Sequence, residues 1–318
     1  MKNTWFKLAV LGMIGIASYL PAAGQQNSGP KKPVIGYICK NTTDTFAIGY
    51  NNAARTKLDG LKKDGVIGNW YFYDGQSDPV TQISLMDTAV SQGCNYIIFL
   101  PAEAAGSASV LDKAKEKNIP IVVVNSRTNN TTELAAAYVG SNDVQAGEMM
   151  AQFVQKNIPA GGGWGHIQGP IGNSAQVERG QGIHNILDKD PNWNLLDEQP
   201  GNWLGEIATR FAEDWRTKYG QGLNAIICDN DDMSSAAQNV MNAQGRTDII
   251  CIGVDGNPGP LSMVKSGDLL ATIYQDGIGQ VSKGIDLVVD LINGKTVAKE
   301  TWIDFVLITK ENVDQYVK

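Results

Sequence analysis

Residues 225–232 read AIICDNDD, an apolar run that ends in four consecutive hydrogen-bonding side chains. The same change occurs at residues 249–258, IICIGVDGNP, and at residues 269–276, LLATIYQD. Apolar runs without polar alternation are typical of parallel strands that are covered on both faces. Because ligands of an open α/β sheet collect at the carboxyl ends of its strands, these stretches predict one shared polar site.

The polar residues at these strand ends indicate what the site would hold. Asn230, Asp255 and Gln275 carry amide or carboxylate groups, which pair with hydroxyls as donors or acceptors. This set favours a neutral, polyhydroxylated ligand rather than a site for chemistry. Helix and turn capping by Asp and Asn is the alternative. It explains any single residue well but explains three strand ends in succession less well.

Apolar runs and helical patterns alternate along the rest of the chain. Strands are predicted at 34–39, 70–73, 96–100 and 121–124, with helices at 46–61, 79–92 and 104–117. The series restarts near residues 138–143, with a helix at 144–156, a strand at 164–168 and helices at 176–187 and 205–219. Two sets of βα units predict an α/β fold of two doubly wound parallel-sheet lobes with a hinged cleft as the ligand site.

The N-terminus has the pattern of a secretory signal peptide. Lys2 and Lys7 form the positively charged region of such a peptide. They precede a mostly apolar run, residues 8–20, which is short for a bilayer span. Small residues at 22–24 predict cleavage there. A lipid anchor would need a cysteine near this position, and the sequence has none there, so no lipid anchor is expected. We therefore expect residues 1–24 to be a signal peptide and the protein to be soluble in the periplasm. An uncleaved membrane anchor is the alternative.

Composition excludes several classes of function. The net charge is −7 and no basic run is present, which argues against a nucleic-acid partner. The two histidines, His166 and His184, are far apart in sequence, so no metal site is predicted. The cysteines lack the spacing of a zinc site and are expected to be buried thiols, with a Cys228–Cys251 bridge left open; they are Cys39, Cys94, Cys228 and Cys251.

Two loops of the first half carry further candidates. In residues 41–46, NTTDTF, Asp44 would accept hydrogen bonds from hydroxyls and Phe46 would form an apolar wall. Capping of the next helix by Asp44 or Thr45, with Phe46 in the core, is equally compatible. Asn125 and Arg127 follow the fourth strand, where an amide and a guanidinium suit hydroxyl recognition and a solvated loop is the alternative.

The second half adds a helix residue and a loop residue. In residues 169–180, GPIGNSAQVERG, Arg179 lies about one turn into a helix, from which it could reach the cleft or face solvent. Trp203 lies on the loop QPGNW, residues 199–203, and could stack on a sugar ring or pack between lobes. The glycine-rich residues 161–165 precede a strand, so they are predicted to be a loop rather than a dinucleotide fingerprint.

Taken in order, these stretches resemble the periplasmic sugar-binding proteins of ABC importers, of the ribose and glucose/galactose type. The resemblance covers nearly the whole chain from Pro33, and its motifs are residues 172–175, 178–180, 230–233, 253–256 and 271–275. It implies that Arg179, Asn230, Asp255 and Gln275 hydrogen-bond the sugar and that Trp203 and Phe46 stack on its ring. The full candidate ligand-binding set is Lys40, Asp44, Phe46, Asn125, Arg127, Asn173, Arg179, Trp203, Asn230, Asp255 and Gln275, without catalytic residue, metal or cofactor.

The motifs mix two ligand types. Asp44, Asn125 and Trp203 are similar to the glucose/galactose type, whereas Gln275 is similar to the ribose type. Ala47 stands where the ribose type has a second phenylalanine, and Lys40 fits no simple ribose pattern. A pentose, an aldohexose and an inositol-like cyclitol therefore all stay open. The calcium loop of the glucose/galactose type is not recognisable in the sequence.

The resemblance also implies an organisation and a mechanism. One lobe would comprise residues 33–140 and 276–303, and the other residues 141–275 and 304–318. A ligand between the lobes would favour closure, and the closed monomer would dock on an ABC permease. A sensor for a chemoreceptor or sensor kinase is the alternative. A transcription regulator of the sugar-repressor type is a further alternative, but it needs an N-terminal DNA-binding motif where this sequence has a signal-peptide pattern. A sugar-active enzyme is the last alternative, and it would have to use Asp44, Asp231 or Asp255 as paired carboxylates.

Overall fold

A computed structural model describes residues 1–2 and 32–317 of the chain. The predicted signal peptide, residues 1–24, lies outside the described residues apart from Met1 and Lys2. Within the described ranges, no helix combines the length and the apolar character that crossing a membrane requires.

The first part of the chain forms a six-stranded parallel sheet. Its strands are β1 (Val34–Cys39), β2 (Asn69–Asp74), β3 (Tyr96–Phe99), β4 (Ile121–Val124) and β5 (Ala137–Gly140). The helices between them are α1 (Thr45–Lys63), α2 (Pro79–Ser91), α3 (Ala108–Glu116) and the single turn α4 (Thr131–Leu134). The sixth strand comes from near the C-terminus, and the strand order is β12-β5-β4-β3-β1-β2.

The second part forms two smaller sheets. Along the rest of the chain, including α10 and the strand β12 of the first sheet, the elements run α5 (Asp143–Asn157), β6 (Gly162–Gln168), α6 (Ser174–Leu187), β7 (Trp193–Pro200), α7 (Gly205–Tyr219), β8 (Leu223–Cys228), α8 (Asp231–Ala243), β9 (Ile250–Ile252), β10 (Val254–Asp255), α9 (Pro258–Ser266), β11 (Ala271–Tyr274), α10 (Gly277–Ile292), β12 (Glu300–Trp302) and β13 (Val306–Thr309). A parallel sheet has the order β7-β6-β8-β9, and β11 lies between parallel β10 and antiparallel β13. Short 3-10 turns occupy Gly220–Gly222 and Val313–Gln315.

Strand β1 shows how the first sheet is covered on both faces. Ile35 and Tyr37 belong to one apolar cluster, together with residues of α1 and α10. Ile38 points the other way, into a cluster with residues of α2 and α3. This alternation explains why the strand sequence is apolar throughout, since both faces are buried. The second sheet is likewise enclosed between two apolar clusters.

The chain passes between the first sheet and the smaller sheets three times. It leaves the first sheet after β5, returns after β11 through α10, which packs on β4 and β5, and leaves again between β12 and β13. The carboxyl ends of the parallel strands are thereby brought to one region. The lobe limits stated above, residues 33–140 with 276–303 and residues 141–275 with 304–318, stay a prediction.

The glycine-rich segment is part of a strand, so its prediction as a loop was wrong. Gly162 to Gly165 lie in β6 and pair with β7 and β8. A β-carbon on Gly163 would collide with the backbone of Gly222, and one on Gly165 with the ring of Trp215. Glycine here allows close packing within the sheet rather than flexibility.

Two polar residues of the motifs at 249–258 and 269–276 lie within strands rather than after them. Asp255 lies inside the short strand β10, and Thr272 lies inside β11, so Gln275 is the first residue after that strand. Thr272 tolerates this buried position because its Oγ1 donates to Asp231 Oδ1 at 2.6 Å. All the cysteines are buried and free in the structure, so the bridge that was left open between Cys228 and Cys251 is not formed.

Candidate functional site

A cavity lies where the carboxyl ends of strands from the first and second sheets face each other. Its walls come from loops after β1, β4, β6, β7, β8 and β11, from strand β10 and from the starts of α1, α6 and α8. The lining residues are Lys40, Asp44, Thr45, Phe46, Asn125, Ser126, Asn173, Ala175, Arg179, Trp203, Asn230, Asp232, Asp255 and Gln275.

All but one of the residues proposed from the sequence line this cavity. The exception is Arg127, whose Nη2 donates to Glu178 Oε1 at 2.6 Å and whose guanidinium lies 5.6 Å from the ring centre of Trp302. Four lining residues were missed: Thr45, Ser126, Ala175 and Asp232. Each lies within two positions of a residue that was named, so the strand-end argument itself could have included them. That the lining residues bind a ligand stays a prediction.

Arg179 is buried at the centre of the site, on the second turn of α6. Its Nε donates to Asp143 Oδ1 at 2.9 Å, and its Nη2 donates to Gln275 Oε1 at 3.2 Å. Nη1 donates to the backbone oxygen of Asp229. Burial lowers the pKa of Arg179, but the carboxylates of Asp143 and Asp255 outweigh it and the net shift of the pKa is upward. The guanidinium is therefore a fixed positive donor.

Asp255 is the most unusual acid of the cavity. It is 5% exposed, and its carboxylate accepts one hydrogen bond within the described residues, from Asn257 Nδ2 at 3.2 Å. Burial raises the pKa of Asp255 well above its ordinary value, and the nearby Asp231 adds to this while Arg179 opposes it. Its oxygens consequently have acceptor capacity that the protein does not use.

Three residues of the cavity have a strained backbone. The backbone φ angles of Asn125, Trp203 and Asp255 are 69°, 68° and 146°. Residues other than glycine rarely adopt φ values in this positive range. Such conformations cost on the order of 1–3 kcal/mol each and persist where the surrounding structure enforces them. All three side chains line the cavity, so the strain coincides with the residues that shape it.

Two aromatic side chains line the cavity. Trp203 is 9% exposed, and its indole Nε1 is buried without a hydrogen-bond partner among the described residues. Phe46 packs edge-on against Tyr50, with ring centres 5.5 Å apart, and sits against Gly277, where a β-carbon would collide with it. An apolar ring face and an unsatisfied donor therefore occur on the same tryptophan.

The first loop carries an ion pair. Lys40 Nζ lies 3.0 Å from Asp44 Oδ2, which also accepts from Asn41 Nδ2 at 2.7 Å. Burial raises the pKa of Asp44, but Lys40 and Asn41 outweigh it, so the net shift of the pKa is downward. Asp44 occupies the cap position of α1, yet its side chain makes no capping hydrogen bond. Capping therefore does not account for Asp44, and Phe46 remains at the cavity wall.

The asparagines at the two helix starts do act as caps. Asn230 Oδ1 accepts from Met233 N at 3.1 Å, and Asn173 Oδ1 accepts from Ala175 N at 3.0 Å. Their amide groups donate to backbone oxygens, Asn230 to Trp203 at 3.2 Å and Asn173 to Ala102 at 2.9 Å. Because an amide nitrogen has two hydrogens, Asn230 keeps one donor for a ligand, whereas Asn173 also donates to Ser126 Oγ at 3.4 Å.

Direct contacts join the two sides of the cavity. Thr45 Oγ1 in α1 donates to Asp232 Oδ2 in α8 at 2.8 Å, and Ala104 N donates to Gly172 O at 2.9 Å. The Arg127–Glu178 ion pair also spans from the loop after β4 to α6. The cavity is thus enclosed by elements of both sheet groups.

Comparison with known proteins places this geometry among binding proteins. The model of a periplasmic binding protein domain matches residues 35–296. The xylitol-binding protein of Mycolicibacterium smegmatis is 32% identical over 238 residues, which are 75% of this chain and 68% of that protein. A putative rhizopine-binding protein of Rhizobium meliloti is 27% identical over 249 residues, 76% of this chain and 80% of that one.

Solved structures with the same fold include two with a bound cyclitol. The myo-inositol binding protein of Caulobacter, bound to myo-inositol, has a TM-score of 0.82 and 25% identity, covering 92% of this chain and 98% of its own. A solute-binding protein of an ABC transporter from Bacillus halodurans, with bound myo-inositol, has a TM-score of 0.84 and 24% identity, covering 91% and 99%.

Proposed function

This chain belongs to the family of periplasmic binding protein domains, and from that premise we propose that it is an exported binding protein for a monosaccharide or a cyclic polyol. It captures the ligand in the cavity described above and delivers it to the membrane subunits of an ABC importer. Relatives named for xylitol and for myo-inositol support this ligand class.

The observation that carries the proposal is that residues lining one cavity have hydrogen-bonding capacity that the protein does not use. The carboxylate of Asp255 accepts one bond within the described residues, and Trp203 Nε1 donates none there. Leaving buried polar groups unpaired costs about 1–3 kcal/mol each. A ligand with several hydroxyls, which are both donors and acceptors, satisfies these groups together.

The charges of the cavity favour a neutral ligand. Lys40 pairs with Asp44 at 3.0 Å, and Arg179 pairs with Asp143 at 2.9 Å. Both cations are thus compensated by the protein itself, and an anionic ligand would compete with those carboxylates. Charge-assisted hydrogen bonds from Arg179 and to Asp255 then act on neutral hydroxyls.

The aromatic residues favour a cyclic ligand. The C–H face of a sugar or cyclitol ring buries apolar area against an indole at low entropic cost, because the indole is rigid. Trp203 is held by strained backbone and by packing against Gly169, where a β-carbon would collide with its ring. Phe46 supplies a second apolar surface in the same cavity.

Ligand capture proceeds by closure of two lobes, residues 33–140 with 276–303 and residues 141–275 with 304–318. The contacts from Thr45 to Asp232 and from Arg127 to Glu178 join these two parts. We take the structure to be the closed form for this reason. A ligand that touches both lobes stabilises closure, and the closed surface is what the permease recognises.

The acids are arranged for binding rather than for hydrolysis. Asp231 accepts from Gly256 N, Asn257 N and Thr272 Oγ1, and it does not line the cavity. Asp44 is paired with Lys40. Asp44 Oδ1 and Asp255 keep acceptor capacity for ligand hydroxyls within the described residues, and we infer that they bind the ligand rather than form the carboxylate pair of a glycosidase.

A thermal-shift screen of the purified protein tests the proposal. The protein is first unfolded, washed and refolded to remove carried-over ligand, and then mixed with pentoses, aldohexoses, acyclic polyols and cyclitols. A ligand at 100 times its Kd adds about 2.7 kcal/mol of stability, which raises the melting temperature clearly. Calorimetry with each hit gives the Kd, and NMR of the recovered ligand checks that it is unchanged. A flat response across the whole panel would contradict the proposal.

A further inference from the structure

A second cluster of functional side chains lies outside the cavity. His166 on β6, His184 on α6 and Glu198 on β7 meet, and we call them the His–Glu cluster. Glu198 Oε1 lies 2.7 Å from His166 Nδ1 and 3.3 Å from His184 Nε2. The three candidate ligand atoms lie within 4.8 Å of one another. Their residues do not line the sugar cavity.

Each histidine ring is oriented by a separate carboxylate on its other nitrogen. His166 Nε2 lies 2.8 Å from Asp229 Oδ1, and His184 Nδ1 lies 3.0 Å from Asp188 Oδ2. A carboxylate that accepts from the far nitrogen fixes the tautomer and makes the near nitrogen a better ligand. The near nitrogens of both rings lie beside Glu198, and a metal ion at this point would bind them in the tautomer that carries the proton on the far nitrogen.

The exposure of the cluster suits a bound ion with one open position. The side chain of His166 is fully buried, whereas those of His184 and Glu198 are 30% and 31% exposed. Two imidazoles and one carboxylate are a known ligand set for zinc, and a solvent molecule completes its tetrahedral coordination. The partly open side provides the route for the ion and for that solvent molecule.

We propose that the His–Glu cluster is a binding site for a divalent transition metal, zinc in particular, with His166 Nδ1, His184 Nε2 and a Glu198 oxygen as ligands. Asp229 and Asp188 position the two histidines. The site ties β6, β7 and α6 together on the second sheet. The alternative is a purely hydrogen-bonded cluster in which Glu198 pairs with the histidines and has no preference for a metal.

Metal uptake by the tag-free purified protein tests this directly. The protein is treated with a chelator, dialysed, and titrated with zinc by equilibrium dialysis and calorimetry. We expect one equivalent of zinc per chain and a higher melting temperature. Cobalt in place of zinc should give the intense visible absorption of a tetrahedral site. These measurements do not involve the sugar, so their failure would leave the proposed function unaffected.

Variants separate the metal site from the hydrogen-bonded alternative. His184→Ala and Glu198→Gln should each abolish stoichiometric zinc binding. Asp188→Asn should weaken it about 10- to 100-fold, because Asp188 only positions His184. Glu206→Gln, a change at an exposed acid on α7 that belongs to another ion pair, is the matched control and should bind zinc normally.

Three results would overturn the proposal. They are the absence of stoichiometric zinc uptake in the unaltered protein, uptake that persists in both His184→Ala and Glu198→Gln, and a cobalt spectrum of an octahedral site. Circular dichroism of each variant establishes that it is folded before its zinc binding is compared. If one of the two ligand variants fails to fold, the other ligand variant and Asp188→Asn decide the question.

Discussion

Arg179 and Gln275 are hydrogen-bonded across the floor of the cavity, with Nη2 3.2 Å from Oε1. Arg179 comes from α6 and Gln275 follows β11, just before the chain returns to the first sheet. The same guanidinium holds Asp143 at the start of α5. One buried cation thereby connects the ligand cavity to two helices and to a strand end.

Replacing Arg179 should therefore affect stability as well as binding. Arg179→Met leaves Asp143 buried without its partner, and breaking a buried ion pair in this way costs about 3–5 kcal/mol. Urea unfolding followed by circular dichroism measures the loss. The double variant Arg179→Met/Asp143→Asn should regain a large part of it, because the uncompensated charge is gone. Equal stability of the single and double variants would show that the pair is not coupled.

Trp203 offers a substitution that separates stacking from hydrogen bonding. Trp203→Phe retains an aromatic face but removes the indole donor, and we expect a loss of about 1 kcal/mol in ligand binding, roughly fivefold in Kd. Trp203→Ala removes both and should weaken binding by about 1–3 kcal/mol or more. Calorimetry with the ligand found in the screen gives both values. Unchanged affinity in Trp203→Ala would remove Trp203 from the site.

Ligand binding should depend on pH through Asp255. Burial and Asp231 raise the pKa of Asp255, while Arg179 and Lys40 lower it, and the net shift is upward. Hydroxyls that donate to Asp255 favour its ionised form, so binding lowers this pKa and releases a proton. Affinity is then full above the raised pKa and falls as the pH decreases through it.

Calorimetry in two buffers of different ionisation enthalpy measures that proton release. Asp255→Asn is the control, since its side chain does not titrate. It should bind the ligand much more weakly and without the pH dependence that Asp255 causes. A wild-type affinity that stays constant between neutral and mildly acidic pH would contradict the role of an ionised Asp255.

Arg127 lies outside the cavity and should act through closure. Its ion pair with Glu178 joins the loop after β4 to α6, and the two side chains are 30% and 19% exposed. Arg127→Met should weaken ligand binding by about 0.5–1 kcal/mol, roughly two- to fivefold, mainly through faster dissociation. Stopped-flow kinetics gives the rate.

The control for Arg127 is an ion pair within one part of the fold. Lys113 and Asp87 pair at 2.7 Å between α3 and α2, both beside the first sheet. Lys113→Met removes a similar ion pair without touching the closing contacts, so its dissociation rate should match that of the unaltered protein. If both variants dissociate equally fast, Arg127 has no specific role in closure.

The sequence predicted the sheets because strands buried on both faces need apolar side chains at every position, as in β1 and β4. It predicted much of the cavity lining because polar residues right after such strands have to lie at one edge. Arg127 does not line the cavity, and its position after β4 does not reveal whether its side chain turns toward the cavity or toward Glu178.

The His–Glu cluster was missed because sequence separation is a poor guide to distance between elements. His166 and His184 lie on a strand and on the helix that covers it, and Glu198 lies on the adjacent strand. The pairing of His166 with Glu198 in the strand register brings the donor atoms together, and no local motif records that register. The glycines of β6 were misassigned for a similar reason, since the ring of Trp215 that requires Gly165 is remote in sequence.

The positive φ values of Asn125, Trp203 and Asp255 bear on how ligand preference would change in evolution or in design. These side chains keep their directions only while the loops of Asn125 and Trp203, and strand β10 with Asp255, keep backbone conformations that most residues avoid. Transplanting the three residues into a relaxed loop of another protein would reproduce their identity but not their directions. New preferences would therefore arise more readily by exchanging whole loops than by single substitutions, and a laboratory recombination library should be cut at the loop boundaries.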